Sequence, residues 1–155
     1  MSIVKTNKFQ NLAGQTYQGI AQVVQVTSNT GYYSSSQTTI ALTNLTTSIT
    51  PYFTTSKIMI VPALSSFRYG GTSGWKLTVY RNGTLIYNPS ANYEVYHNST
   101  DDEYNRESWW IYDTPSSTAL QTYTFYLTTY AASSGAGINY NSYYTSMITL
   151  LEVLQ

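Results

Sequence analysis

Trp75–Tyr87 reads Trp-Lys-Leu-Thr-Val-Tyr-Arg-Asn-Gly-Thr-Leu-Ile-Tyr, and this stretch decides the class of fold. Successive side chains of an extended chain point to opposite faces. Trp75, Leu77 and Val79 therefore share one side, and Lys76, Thr78 and Tyr80 share the other. Asn82-Gly83 follows at once. A two-residue type I′ turn needs positive φ at both central residues, which Asn and Gly tolerate, so the pair predicts a hairpin. Thr84–Tyr87 is then the return strand, closed by Asn88-Pro89.

The same signals extend in both directions. Ile20–Val26 is short, apolar and β-branched, and Gly31–Gln37 is a turn leading into polar strand-like sequence that runs on to Ile40 and Leu42. Asn44–Thr50 is a strand stopped by Pro51, and Lys57–Leu64 is a nearly continuous apolar run. Pro62 has no N–H for a ladder, so that run is expected to end there, bulge there or lie at a sheet edge. Tyr93–His97 and Trp109–Tyr112 read as strands with a polar loop, Asn98–Arg106, between them. Asp113–Ser116 is a turn, Tyr123–Thr129 alternates again, and Ala131–Gly137 is a small-residue loop. Met147–Leu154 ends the set, with Ile148, Leu150 and Leu154 on one face and Met147, Leu151 and Val153 on the other. A strand apolar on both faces is expected to be covered on both, centrally or by another copy.

No segment holds a helical period, and no fixed-period repeat occurs. Short strands separated by turns predict an all-β fold, an antiparallel, jelly-roll-like β-sandwich over residues 19–155. Residues 1–18 lack either period and read as an extended N-terminal arm, open to being a loose tail or a docking peg. This arm carries Lys5 and Lys8 but no apolar core of a secretory signal.

The chain has 155 residues, enough for one domain with a real core. Seven basic and seven acidic residues cancel. Nucleic-acid binding leans on clustered basic side chains, so neither nucleic acid nor an anionic membrane surface is expected as partner. No apolar run is long enough for a membrane-spanning helix. Charged residues make up only 9%, against about 25% in ordinary domains. The polar surface rests instead on Ser, Thr, Asn, Gln and 17 tyrosines. Such a surface suits packing against copies of itself or binding neutral ligands, and tyrosine offers apolar area plus a hydroxyl at low entropic cost. Cysteine is absent, which removes disulfides and thiolate metal sites.

Candidate chemistry is sparse. The single histidine, His97, excludes a two-histidine metal site within one chain, and no Gly-x-Ser-x-Gly elbow accompanies it. Asp101, Asp102 and Glu103 cluster, but not with the spacing of a calcium loop. Glu94, Glu107 and Asp113 are candidate carboxylates for glycoside hydrolysis. Trp109 and Trp110 alternate, so one ring is expected in the core and the other on the opposite face, for packing or for stacking on a sugar. No catalytic group, cofactor or metal is expected. Three sequons, at Asn44, Asn82 and Asn98, are chance matches in a Thr-rich chain.

Four segments in order carry a resemblance: Ile49-Thr50-Pro51 followed by Ser56-Lys57-Ile58-Met59-Ile60; Arg81-Asn82-Gly83-Thr84; Asp113-Thr114-Pro115; and Thr149-Leu150-Leu151-Glu152-Val153. Over about Ile20–Leu154 the chain resembles small β-sandwich virion proteins of tailed bacteriophages, especially tail-fibre-like and fibre-tip domains. The opening Met-Ser-Ile-Val-Lys-Thr-Asn-Lys is similar to their attachment segments. The resemblance implies a homotrimeric virion protein on the tail or capsid surface, a short tail fibre attaching to the host. The alternative is a capsid decoration (cement) protein. It implies a docking arm of Ile3, Val4, Phe9 and Leu12 to other virion proteins, and host-surface glycan as a partner. The contact residues expected on that reading are Tyr32 and Tyr33, with Tyr140, Tyr143 and Tyr144, because both segments couple tyrosine to small or turn-forming residues.

Overall fold

The computed structural model describes residues 9–10, 16–17, 19–91, 93–131 and 135–154. In chain order the strands are β1 (Phe9–Gln10), β2 (Thr16–Tyr17), β3 (Ile20–Ser28), β4 (Tyr32–Ser34), β5 (Thr38–Ala41), β6 (Thr47–Ile49), β7 (Lys57–Arg68), β8 (Gly71–Arg81), β9 (Thr84–Tyr87), β10 (Val95–Ser99), β11 (Glu103–Ser108), β12 (Ile111–Asp113), β13 (Gln121–Ala131), β14 (Ala136–Ile138) and β15 (Ser146–Val153). Two single 3₁₀ turns, Thr43–Leu45 and Tyr140–Ser142, interrupt them. The hairpin at Asn82-Gly83 forms as its sequence predicts, with φ of 48° and 81°.

Two antiparallel sheets face each other. The six-stranded sheet runs β10-β8-β13-β5, with β9 along β8 and β6 along β13. The seven-stranded sheet has β7 at its centre. Along one side of β7 lie β15, followed outward by β3, and β14, followed by β4. Along the other side lie β12 and β11. Between the sheets, Ile58, Ile60 and Leu64 of β7 and Ile148 and Leu150 of β15 meet Trp75, Leu77 and Val79 of β8 and Tyr123, Phe125 and Leu127 of β13. These side chains come from alternate positions, as the Trp75–Val79 pattern requires. Each fully buried aliphatic or aromatic residue contributes about 1.5–3 kcal/mol.

Several expectations are corrected. Pro62 neither ends nor bulges β7, and β7 is not an edge: Pro62 pairs with Ile148 in the middle of a central strand. The cost of its missing N–H falls on the neighbour. Ser108 pairs with Ala63 and Ile111 with Ile60 in one unbroken register, and pairing lapses only at Trp109–Trp110, opposite Pro62 and Val61. The segment after Gly31 is not one strand. β4 belongs to the seven-stranded sheet and β5 to the six-stranded one, so the chain changes sheet across Ser35–Gln37. Asn44 lies in a 3₁₀ turn before β6 rather than in a strand. Glu103–Arg106, expected in a loop, is strand β11, and Ala136-Gly137, also expected in a loop, is in β14. On β15, Ile148, Leu150 and Leu154 are buried, and Met147, Leu151 and Val153 on the outer face are half-buried within the single chain. Most of the expected arm, residues 1–18, lies outside the described residues. Within it, Phe9 pairs with Tyr17 and Gln10 with Thr16.

Candidate functional site

The outward positions of β7 are Met59, Val61, Ala63, Ser65 and Phe67, the alternates of the core residues Ile58, Ile60 and Leu64. Phe67 is the centre of an aromatic cluster. In register, β14 places Gly137 beside Phe67, and β4 places Tyr33 beside Gly137. A Cβ on Gly137 would come within 2.0 Å of the Tyr32 carbonyl oxygen and 3.0 Å of Phe67 Cζ. The missing side chain lets Tyr33 reach across β14 and stack on Phe67, with centroids 5.7 Å apart and planes at 19°. Tyr69 meets both rings edge-on, at 5.6 Å from Tyr33 and 5.7 Å from Phe67. From the other side of β7, Tyr104 pairs in register with Phe67.

A polar pin aims the Tyr140–Tyr144 segment at this cluster. Asn139 is wholly buried in the left-handed region, at φ 56°. Its Nδ2 donates to the carbonyls of Ser28 at 3.0 Å and Thr30 at 2.9 Å, its Oδ1 accepts from Ser146 Oγ at 2.7 Å, and its N–H donates to Ser65 O at 2.8 Å. Next in sequence, Tyr140 packs edge-on against Phe67 and against Tyr104, each at 5.2 Å. Tyr144 lies 6.5 Å from Tyr104 with planes at 30°. Such ring pairs contribute about 0.5–1.5 kcal/mol beyond burial. Burial and the phenols around it push the Tyr69 hydroxyl up to about 12, and burial also raises Tyr104.

Of the five tyrosines expected at a contact surface, the fold gathers Tyr33, Tyr140 and Tyr144. Tyr32 points to the other side of β4 and packs against the core, its hydroxyl accepting from the Asn44 N–H at 3.3 Å. Tyr143 is 82% exposed and makes no ring pair among the described residues. Sequence reasoning missed Phe67, Tyr69, Tyr104 and Arg106. Alternation along β7 could have found Phe67, whereas Tyr104 and Arg106 required seeing that a polar stretch is a strand. Of the expected docking residues, Ile3, Val4 and Leu12 lie outside the described residues, and Phe9 is described only through its pairing with Tyr17.

Beside the cluster, Ser65, Ser66, Tyr104, Asn105, Arg106 and Tyr144 line an open groove of about 290 Å³. Arg106 crosses over β7, its Nη2 donating to Ser65 Oγ at 3.2 Å and to Thr145 O at 2.7 Å. The same face continues past the groove as an apolar belt. Val23 of β3, Leu151 of β15, Met59 of β7 and Tyr112 of β12 stand side by side in register. Trp110, 69% exposed, adjoins them, while Trp109 packs on Trp75 at 6.1 Å, the division that their alternation requires.

The candidate carboxylates are engaged elsewhere. Asp113 accepts from Arg81 Nη1 at 2.6 Å and from the buried Tyr123 hydroxyl at 2.7 Å; burial first, and the Asp113 carboxylate second, raise the Tyr123 pKa. Glu94 accepts from the Leu77 N–H at 2.9 Å and from the Tyr87 hydroxyl. Burial and this carboxylate raise the Tyr87 pKa. Glu107 and Glu103 pair with the buried Arg68. Glu107 lies opposite Leu64 and Asp113 opposite Ile58, six residues and roughly 20 Å apart along β7, whereas a glycosidase pair stands about 5–9.5 Å apart. Asp102 Oδ1 accepts from the Gly70 N–H at 2.9 Å. His97 lies in β10 opposite Ser73. Among the described residues no three His, Cys, Asp or Glu side chains gather as a metal site would need.

No family model and no curated protein matches the chain. Among solved structures, it is similar to a mutant VP2 protein of infectious bursal disease virus in T=1 particles, at 13% identity, with 89% of this chain and 38% of that one covered and a TM-score of 0.49. The VP2 subviral particle of the same virus aligns at 15% identity over 86% of this chain and 38% of that one, with a TM-score of 0.47. Dimeric latent PorU from Porphyromonas gingivalis aligns at 9% identity over 97% of this chain and 14% of that one, also at 0.47. The chain thus spans well under half the length of each of these proteins.

Proposed function

We propose that the chain is a structural and attachment module of a virus particle, of the short tail-fibre or fibre-tip kind, and not an enzyme. One observation carries the binding half of this reading: an exposed aromatic and hydroxyl-rich face on the seven-stranded sheet, built on a rigid central strand. Tyr33, Tyr104 and Tyr144 are exposed there, and Phe67 packs against Tyr33 and against Tyr140 beside them. The ordered motifs shared with phage fibre domains support the virion half.

The chain acts as a homotrimer, its apolar belt covered by sister copies and its aromatic end left free for the host surface. A near-zero net charge leaves copies with no repulsion to overcome. Weak sites repeated on many copies give firm adsorption through avidity. Residues 1–18 tie the module to other virion proteins. A second reading, a capsid decoration protein, is favoured by the same belt, because a lattice of neighbours covers it equally well. Electron microscopy of particles labelled with antibody against this chain separates the two. Label at the tail supports the fibre, label over the head supports decoration, and particles without label overturn both.

A further inference from the structure

We propose that the groove between Tyr104, Arg106 and Tyr144 binds an acidic sugar, with the sugar carboxylate at Arg106 and the sugar ring against the two phenol rings. The proposal rests on the attachment reading and names the ligand chemistry of that face.

The arginines distinguish this groove. Arg68 and Arg81 each meet a carboxylate at 2.6 Å. Arg106 meets none among the described residues, and its guanidinium cannot shed its charge. Its Nη2 is pinned by Ser65 Oγ and the Thr145 carbonyl, so the head group has a fixed place next to Tyr144. The N–H donors of Nε and Nη1 have no protein acceptor among the described residues. The neighbouring acids do not compete. Glu103 and Glu107 occupy alternate positions of β11, on its inner side, where Arg68 holds them.

The remaining lining matches a sugar. Tyr104 and Tyr144 are half-exposed rings set 6.5 Å apart, apolar faces for sugar C–H groups. The Tyr104 and Tyr144 hydroxyls supply hydrogen-bond partners for sugar hydroxyls. The volume of about 290 Å³ sits at the lower end for small-ligand sites. A neutral sugar would leave the guanidinium unmatched, and a small inorganic anion would leave the rings unused. A carboxylate on a sugar ring uses both, and charge-assisted hydrogen bonds are the stronger kind.

Saturation-transfer NMR on the full chain with methyl β-D-glucuronide and methyl β-D-glucoside tests this. The glucuronide should bind about tenfold or more tightly than the glucoside. Arg106→Gln should erase that preference, Arg106→Lys should keep part of it, and Tyr104→Ala should weaken both sugars. Equal binding of the two sugars, a preference untouched by Arg106→Gln, or no binding of either sugar overturns the proposal. Adsorption of labelled protein to host cells, run alongside, keeps the two readings apart. Adsorption that glucuronide cannot compete removes the acidic-sugar site and leaves attachment standing, whereas no adsorption at all removes the attachment reading itself.

Discussion

Replacing Gly137 with alanine should disable the aromatic cluster at its root. The new Cβ would sit 2.0 Å from the Tyr32 carbonyl oxygen, and contacts below 3.0 Å do not persist. The backbone of β4 must therefore retreat by at least about 1 Å. The shift strains the three pairs that join β14 to β4: Ala136 with Ser34, Gly137 with Tyr33 and Ile138 with Tyr32. Overpacking of this kind costs about 1–3 kcal/mol, and losing the Tyr33–Phe67 stack adds about 0.5–1.5 kcal/mol. The expected total is about 2–4 kcal/mol, read as a lower urea midpoint with an unchanged m-value. In the same protein the Tyr33 ring resonances should move away from the shifts that Phe67 imposes. Gly19→Ala is the control, since nothing lies within 4 Å of its Cβ, and it should change stability little. A Gly137→Ala protein as stable as the parent, with Tyr33 resonances in place, would refute the reasoning.

Three further outcomes follow from the same structure. Asp113→Ala strands the Tyr123 hydroxyl and the Arg81 guanidinium, and should cost about 3–5 kcal/mol in denaturant unfolding. Adding Tyr123→Phe should recover at least about 1 kcal/mol of that loss by removing the orphaned hydroxyl. Because the folded Tyr69 pKa lies near 12, above the ordinary 10.0, the folded state holds a proton that the unfolded state releases. That stabilisation is complete below pH 10 and is lost as pH rises through 12. Thermal midpoints should fall over that window, and Tyr69→Phe should flatten the fall. Light scattering on purified protein should give the mass of three chains, and Leu151→Arg, which places a charge in the apolar belt, should give the mass of one.

Alternation and turn chemistry made much of the fold legible. Trp75–Tyr87 and Tyr123–Thr129 announce their faces and corners, because their hydrophobic side really is the core. Strands stabilised by partners rather than by their own composition were illegible. Glu103–Ser108 carries no aliphatic residue and forms a strand because it pairs along β7 and Arg68 holds Glu103 and Glu107. Ala136-Gly137 looks like a loop because its small residues suit the close passage of Tyr33 over Gly137. Pro62 misled for a related reason: its missing N–H is a property of the pair of strands, and the break appeared in the partner. The site divides the same way. Tyr33, Tyr140 and Tyr144 stood out as tyrosines beside turns, whereas Phe67, Tyr69, Tyr104 and Arg106 join them only through pairings between residues far apart in the chain.

Adsorption of fluorescently labelled protein to host cells, for the parent chain and for the Tyr104→Ser, Tyr144→Ser double variant, tests the attachment face most directly. Both substitutions lie at exposed positions, so the variant should keep the parent's circular dichroism, with a urea midpoint lowered only by the loss of the Tyr104–Tyr140 and Tyr104–Tyr144 ring pairs, about 1–3 kcal/mol. The account predicts that it loses adsorption at least tenfold while remaining folded. Equal adsorption by the two folded proteins would contradict it.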